Sequence, residues 1–542
     1  MRVSPNFSPT LVGASRSHRL PYILKNQTGS SVRFLGWHGL ILILFVAGVR
    51  AVSNILYFKT YGPLSSAGAD IWFFIGVAKG YYHLFWADPL QWMLPIFGNL
   101  TINTLFYLLL LLSNALHLAT VLLLFGVLRE VYGNTRTAFW TSATYSCLSS
   151  SFLFCTGAFL HQQVSLPLIM AAIWTGYRYV ASVPGKQRVR MVVIFALLIL
   201  VGSFVGPDIW VLVATAIPCA IGWRLRNWST PVKRRIAAFG FMIGCGAVVI
   251  FSGPLLKQEA ASMAWMMRGI DLVAQQDLHI GDLMPLTWAR WMNTYSWLGF
   301  ALLALVAVAF LRGRFFEVAL FFVPILFAAQ AVRFFFITEI GVAFLICWFL
   351  VAAAQWRPWL SNALGVIFLL ALFSLEEWRG FTCLCPATLV SSLSKVRDDP
   401  SPKKLVLCNP SYGFLVRTFT GAQPTADMQH LESNMEQIKL LVLPAAKAVT
   451  QLKQRGVTHV LVTSHDFQQT VERTFDGRMV QGMYASGGLE YLVPASEKRL
   501  KESLLYQSFT DLFWFAPISG VKLIDARADP KTSLVVILYK LE

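Results

Sequence analysis

Acidic side chains are scarce in the first two thirds of this chain. Only ten Asp and Glu fall in the first 375 residues, against 26 Lys and Arg. Charged residues make up 13% of the 542 positions and hydrophobic ones 56%, which excludes an ordinary soluble globular protein. No cleavable leader pattern opens the chain. Residues 1–36 are polar and basic, with Arg2, Arg16, Arg19, Lys25 and Arg33, and read as a disordered cytosolic tail. Residues 376–542 lack a Gly-rich phosphate loop, a GxSxG elbow and metal-spaced His or Cys pairs, and the chain shows no internal repeat or low-complexity tract. The eight cysteines carry little information. Cys147, Cys155, Cys219, Cys245 and Cys347 fall in apolar segments and read as packing residues, while Cys383, Cys385 and Cys408 allow one disulfide if their compartment is oxidising.

What is present is a series of apolar stretches, each near the roughly 20 residues needed to cross a bilayer. Eleven are read, at about 38–58, 103–128, 137–160, 163–181, 190–206, 209–223, 236–254, 296–311, 315–331, 334–354 and 359–375. The net charge of +18 belongs almost entirely to this half, because the residues after 375 hold 19 basic and 17 acidic side chains. With the tail in the cytosol, 14 basic residues fall in five short inner loops, including Arg129, Arg136, Lys186, Arg188, Arg234 and Arg312. This is the positive-inside pattern, so the charge reports topology and not a nucleic-acid partner. An odd number of spans then places everything after 375 on the outer side.

The acids show the opposite bias: eight of the ten, all but Glu130 and Glu317, fall on or near the outer side. Two outer loops are long, 59–102 and 255–295, and loops of that length in a compact bundle are usually functional. Short amphipathic stretches in them, Trp72 to Phe85 and Met263 to Val273, predict helices lying along the membrane surface. Past residue 375 the pattern changes. Lys404 to Asn409 reads as a buried strand, Ala445 to Gln454 as a helix closed by Gly456, His459 to Thr463 as a second strand, and Leu534 to Tyr539 as a last one. Strand, helix, strand predicts a small α/β domain with parallel pairing over 376–542.

Asp70 is the first candidate for chemistry. It follows the first span in Ser-Ser-Ala-Gly-Ala-Asp70-Ile-Trp-Phe-Phe, and a carboxylate held among aromatics at a membrane boundary is costly to desolvate. It suits an acid that orients or deprotonates an acceptor, and equally the N-cap of a helix over 71–80; the two roles can coexist. In the second long loop, Asp277 and Asp282 flank His279, a set able to hold a phosphate-bridging metal, to orient the imidazole, or simply to cap a turn. Arg333 and Glu339 interrupt an apolar run, and a buried Arg needs an anion, either a lipid phosphate or Glu339 itself. Arg50, one turn from the outer end of the first span, either snorkels outward or approaches the same phosphate. His161-Gln162 and Asp208 occupy tight outer turns, as turn formers or as donor- and acceptor-site residues.

An acid in the first outer loop, about eleven transmembrane helices and an outer α/β domain resemble the GT-C class of membrane glycosyltransferases. Within it, three stretches are similar to the DPY-19 family of protein C-mannosyltransferases: Asp277-Leu-His-Ile-Gly-Asp-Leu-Met284, matching D-x-H-I-G-N/D-L-L; Ser113-Asn-Ala-Leu-His-Leu118 with the run to Ser165-Leu-Pro-Leu168; and the stretch from Leu405 through Leu443-Pro-Ala-Ala446 to Thr458-His-Val-Leu461. The resemblance implies transfer of mannose from dolichyl-phosphate-mannose to C2 of a Trp indole in a WxxW acceptor, without a metal or other cofactor. It implies an endoplasmic reticulum membrane; on physical grounds alone the inner or plasma membrane of a bacterium serves equally. Two departures stand out. The family carries Glu where Asp70 stands, and an Arg-Glu pair where this chain has His161-Gln162. The WWDYG motif of oligosaccharyltransferase catalytic subunits is absent. The alternatives are a GT-C transferase with a hydroxyl or lipid-linked glycan acceptor, and an inactive scaffold or transporter of the same shape.

Overall fold

The computed structural model describes residues 36–84, 88–148, 156–181, 185–206, 208–225, 297–329, 334–373, 383–427, 443–464, 502–514 and 517–542, with isolated residues between these ranges. Helices fill the first part: α1 (Gly36–Tyr61), α2 (Asp70–Ala78), α3 (Pro89–Met93), α4 (Ile102–Tyr132), α5 (Thr135–Tyr145), α6 (His161–Ala181), α7 (Lys186–Val205), α8 (Asp208–Leu225), α9 (Trp297–Leu311), α10 (Phe315–Ala328), α11 (Phe335–Trp356) and α12 (Pro358–Phe373). Among the described residues four of them, α1, α4, α7 and α11, are long and apolar enough to cross a membrane, and four shorter apolar helices accompany them. Most of the span expected at 236–254 and nearly all of the loop expected at 255–295 lie outside the described residues.

Helix contacts run round a circuit: α4 on α6, α6 on α8, α8 on α10, α10 on α11, α11 on α5, and α5 back on α4. α11 is the most enclosed member, buried from Phe335 through Trp348. Gly341 permits its approach to α10, because a Cβ there would run into the carbonyl of Leu320. The span expected over 137–160 is not one continuous helix. α5 ends at Tyr145, about 16 Å of helix against a hydrocarbon core of about 30 Å. Its last turns are rich in Ser and Thr, which bond back to the backbone and weaken a helix: Thr144 Oγ1 donates to Trp140 O at 2.8 Å and Ser146 Oγ to Ala143 O at 2.7 Å.

The C-terminal part holds α13 (Ala387–Asp398), β1 (Leu405–Leu407), α14 (Pro410–Leu415), β2 (Gln423–Pro424), α15 (Ala445–Gln454), β3 (His459–Thr463), α16 (Leu504–Trp514), β4 (Val521–Ala528) and β5 (Val535–Leu541). The sheet order is β2-β1-β3-β5-β4. β1 pairs in parallel with β2 and β3, while β5 is antiparallel to β3 and β4. Alternate residues serve two cores, as a sheet covered on both faces requires. Val406, Leu461, Val536 and Leu538 join a core that also contains α2, the N-terminal end of α4 and Phe159. Leu407, Val460, Val462, Ile537 and Tyr539 face α15 and α16. The first long loop and the sheet therefore share one hydrophobic core.

Candidate functional site

The segment from Gly62 to Ala78 is pinned from two sides. Ser66 exchanges backbone hydrogen bonds with Cys385: Ser66 N donates to Cys385 O at 3.0 Å and Cys385 N to Ser66 O at 3.1 Å. One residue on, Ala67 N donates to Gly157 O at 3.0 Å. The Ser66 hydroxyl accepts from Trp72 Nε1 at 3.1 Å and donates to Gly68 O at 2.8 Å, folding the loop back onto the start of α2. Asp70 is half-buried as the first residue of α2, where the free N–H groups and the helix dipole favour a carboxylate. The N-cap position itself is Ala69, without a side-chain cap, so Asp70, expected as a possible N-cap, is instead the first residue within the helix.

α2 is not the surface helix expected from Trp72 to Phe85. Every residue from Ile71 to Ala78 is buried. Phe73 packs on Phe414 at a ring-centroid distance of 4.9 Å, and Phe74 on Phe159 at 4.9 Å. Thr418 Oγ1 donates to Trp72 O at 3.0 Å. The physical reason is composition: no side chain from Ile71 to Ala78 is charged, and the single polar group among them, Trp72 Nε1, is already bonded to Ser66 Oγ, so a helix face for water is missing.

Arg50 does not snorkel. It is buried at 3% exposure, and its guanidinium turns inward, Nη2 lying 3.1 Å from His117 Nε2 and Nη1 3.5 Å from Thr156 Oγ1. A guanidinium only donates, so Nε2 accepts and the imidazole is neutral with its proton on Nδ1. Asn54, one turn further along α1, ties this network to the loop of Asp70. Its Nδ2 donates to Arg50 O at 3.0 Å and its Oδ1 accepts from Gly157 N at 3.2 Å. Gly157 has φ +64, and a Cβ there would strike the Tyr57 ring, so the turn admits glycine alone.

The same segment leads into α6. His161 opens that helix, and Gln162 behind it is buried. Ser165 Oγ donates to Gln162 O at 3.0 Å and lies 3.4 Å from Asp208 Oδ2. Asp208 is buried and opens α8. His161-Gln162 and Asp208, expected in turns, are thus helix-opening residues. The chain from Thr156 to Ser165 collects Arg50, the Asp70 loop, Gln162 and Asp208 along one line of contacts. Glu339 is elsewhere, fully buried one turn into α11, where its Oε1 accepts from Tyr295 Oη at 2.9 Å. Arg333, Asp277, His279 and Asp282 lie outside the described residues.

His117, Ser165 and Tyr295 were not singled out from the sequence as site residues. His117 had a signal, being an ionisable group inside the apolar run of α4. Ser165 and Tyr295 had none, since their importance lies in the partner each meets. Cys383, Cys385 and Cys408 are free thiols, and burial pushes the Cys383 thiol up to about 12. Among the described residues, no group of three or more His, Cys, Asp and Glu could hold a metal ion.

No protein-family model matches the chain, and no curated protein matches it. Solved structures do. The chain is similar to the oligosaccharyltransferase AglB from Archaeoglobus fulgidus in complex with an inhibitory peptide and a dolichol-phosphate, at 12% identity and a TM-score of 0.61 over 91% of this chain and 80% of that one. It is also similar to the Archaeoglobus fulgidus oligosaccharyltransferase tethered to an acceptor peptide containing the NVT sequon, at 12% identity and a TM-score of 0.58 over 91% and 79%. The apo form of that enzyme matches at 13% identity and a TM-score of 0.58 over 93% and 81%. At such identity the likeness is one of fold: the chain shares the architecture of those oligosaccharyltransferase structures.

Proposed function

We propose that the chain is a membrane glycosyltransferase that moves a sugar, mannose, from a dolichyl- or polyprenyl-phosphate donor to a protein acceptor, with C-mannosylation of Trp in WxxW motifs as the reaction. The observation that carries the reading is the seat of Asp70, at the opening of a helix clamped between the helical bundle and the C-terminal sheet. The AglB neighbours support it by fold, one of them in complex with a dolichol-phosphate and another tethered to an acceptor peptide.

In this reading the indole C2 attacks the anomeric carbon, the bond from that carbon to the phosphate oxygen breaks, and the lipid phosphate leaves with the electron pair. Asp70 positions the indole and takes the proton lost from C2. The leaving phosphate needs only charge stabilisation, which Arg333 and His279 would supply, so neither a metal nor another cofactor is required. Arg50 acts behind them through the Thr156–Gly157 segment, and His161, Gln162, Asp208, Asp277, Asp282 and Glu339 remain donor- or acceptor-site candidates. An apolar cavity of about 270 Å³ between α5, α9, α11 and α12, lined by Tyr295, Leu298, Ala301 and Leu305 among others, would seat part of the isoprenoid tail. The reaction would take place on the outer side of the membrane, in the endoplasmic reticulum of a eukaryote or across the inner membrane of a bacterium.

The test is co-expression with a tryptophan-repeat reporter, followed by mass spectrometry of the reporter peptides. A hexose fixed to Trp with the parent chain, and absent with Asp70→Asn, is the expected result. A hexose released by mild alkaline elimination would move the acceptor to a hydroxyl, and undiminished transfer by Asp70→Asn would remove that residue from the mechanism.

A further inference from the structure

The membrane-surface segment expected within 72–85 is missing because α2 is buried, yet a neighbouring segment carries the features of one. α3 continues as a 3₁₀ turn, Leu94–Phe97. Leu90 and Leu94 face inward and belong to the core shared with the sheet. On the opposite face Trp92 is 68% exposed, Met93 50%, Ile96 75% and Phe97 39%. From Pro89 to Thr101 no side chain is charged, and Asp88 is fully buried as the N-cap, accepting from Leu90 N at 2.8 Å. An apolar face of four large side chains with no charged rim is a poor surface for water.

We infer that the face formed by Trp92, Met93, Ile96 and Phe97 is seated in the bilayer, at the headgroup–acyl boundary on the side of the C-terminal sheet. Two observations select lipid over water or a protein partner. The first is continuity: four residues separate Phe97 from α4, a 31-residue apolar helix whose Tyr107 and Leu111 are exposed near its start. The second is the state of the backbone. In hydrocarbon every N–H and C=O must be satisfied within the protein. Pro89 and Pro95 carry no N–H to satisfy, Gly98 N donates to Pro95 O at 2.9 Å, and Leu100 N to Phe97 O at 3.0 Å. The carbonyls of Gly98 and Leu100, at the exit of the segment, both accept from Lys79 Nζ at 2.7 and 2.6 Å. The half-buried Lys79 thus satisfies two carbonyls that hydrocarbon would otherwise leave bare.

The seating has a consequence for the site. Gly98 lies so close to α2 that a Cβ would come within 2.6 Å of Ala78 O, and Leu84 N is tied to Gln91 Oε1. α2, with Asp70 at its head, is thereby held at a fixed depth relative to the lipid. The inference does not depend on what the site catalyses.

The test uses the full-length chain in lipid nanodiscs, with p-benzoylphenylalanine placed singly at position 93 or 96 and irradiated. Position 111 on α4 serves as the lipid-facing control, and position 523, an exposed leucine of β4, as the control outside the membrane. The expected result is a peptide heavier by one phospholipid at 93 and 96, in a yield comparable with 111 and above that at 523. Lipid adducts at 111 but only background yield at 93 and 96 would overturn the inference and leave the face to solvent. Cross-links to another polypeptide in place of lipid, with the same irradiation in native membranes, would overturn it in favour of a protein partner.

Discussion

The guanidinium of Arg50 donates to His117 Nε2 across 3.1 Å inside the helical bundle, which fixes the histidine as an acceptor. Loss of that acceptor leaves a buried cation with one hydrogen bond fewer. His117→Leu should therefore lower stability on the order of 3 kcal/mol, more than a cavity of that size would explain. Arg50→Met combined with His117→Leu should recover part of the loss. Thermal unfolding of the two single variants and the double variant in detergent gives the coupling directly, and simple additivity would show that the pair is not energetically linked.

Asp70→Asn keeps the size of the side chain and the opening of α2 but removes the base. Transfer to a reporter is expected to fall on the order of 100-fold or more, with the melting temperature almost unchanged. Asp70→Glu, which keeps the base on a side chain one methylene longer, should retain measurable transfer. An equal loss in both variants would indicate a positional role for the short carboxylate.

Trp72 ties three regions together, through Ser66 Oγ, through Thr418 Oγ1 on its own carbonyl, and through ring contacts with Phe106 and Phe419. Trp72→Ala is expected to cost about 3–5 kcal/mol. Because the lost contacts bridge the helices and the sheet, limited proteolysis should cut between residues 373 and 387 before either part unfolds. Proteolysis confined to the termini would mean that the shared core survives without the indole.

Asp466 stands just past the end of β3, its carboxylate accepting from Thr463 N and Oγ1 at 2.8 Å and from Asn409 Nδ2 at 3.0 Å. Burial nevertheless pushes its carboxyl up to about 6. A folded value above the unfolded one means that the native state binds the proton more tightly. This group's contribution is then most favourable below about pH 4 and is lost as pH rises to about 6, on the order of 2–3 kcal/mol over that window. Urea unfolding between pH 4 and 7 should show the decline, and Asp466→Asn should remove it. A slope unchanged in the variant would assign the titration to another group.

The helix at 445–454 and the strands at 405–407, 459–463 and 535–541 were legible because each is short, strongly patterned and bounded by a turn residue such as Gly456. β4 was not, since Val-Lys-Leu-Ile-Asp-Ala-Arg-Ala at 521–528 carries three charges and pairs only with β5 at the sheet edge. The end of α5 at Tyr145 was also hidden, because the apolar residues beyond it continue the hydrophobic run that a span requires. Of the candidate site, the residue types are readable in the sequence, but of the two environments it allows for Arg50, water is not the one found: the side chain is buried beside His117. Whether a long cation reaches water or an internal histidine depends on where α4 packs.

Composition and charge placement alone determined that the chain carries apolar stretches of membrane-spanning length and that its basic excess lies in the first 375 positions. Both follow from local transfer free energies, which are written residue by residue. Only tertiary structure decided that Asp70 opens a buried helix and that its loop is held between Gly157 and Cys385. It also decided that Trp92, Met93, Ile96 and Phe97, and not α2, form the exposed apolar face. Those outcomes depend on partners hundreds of positions away, such as Thr418 for Trp72, and no periodicity within a segment records what will cover it.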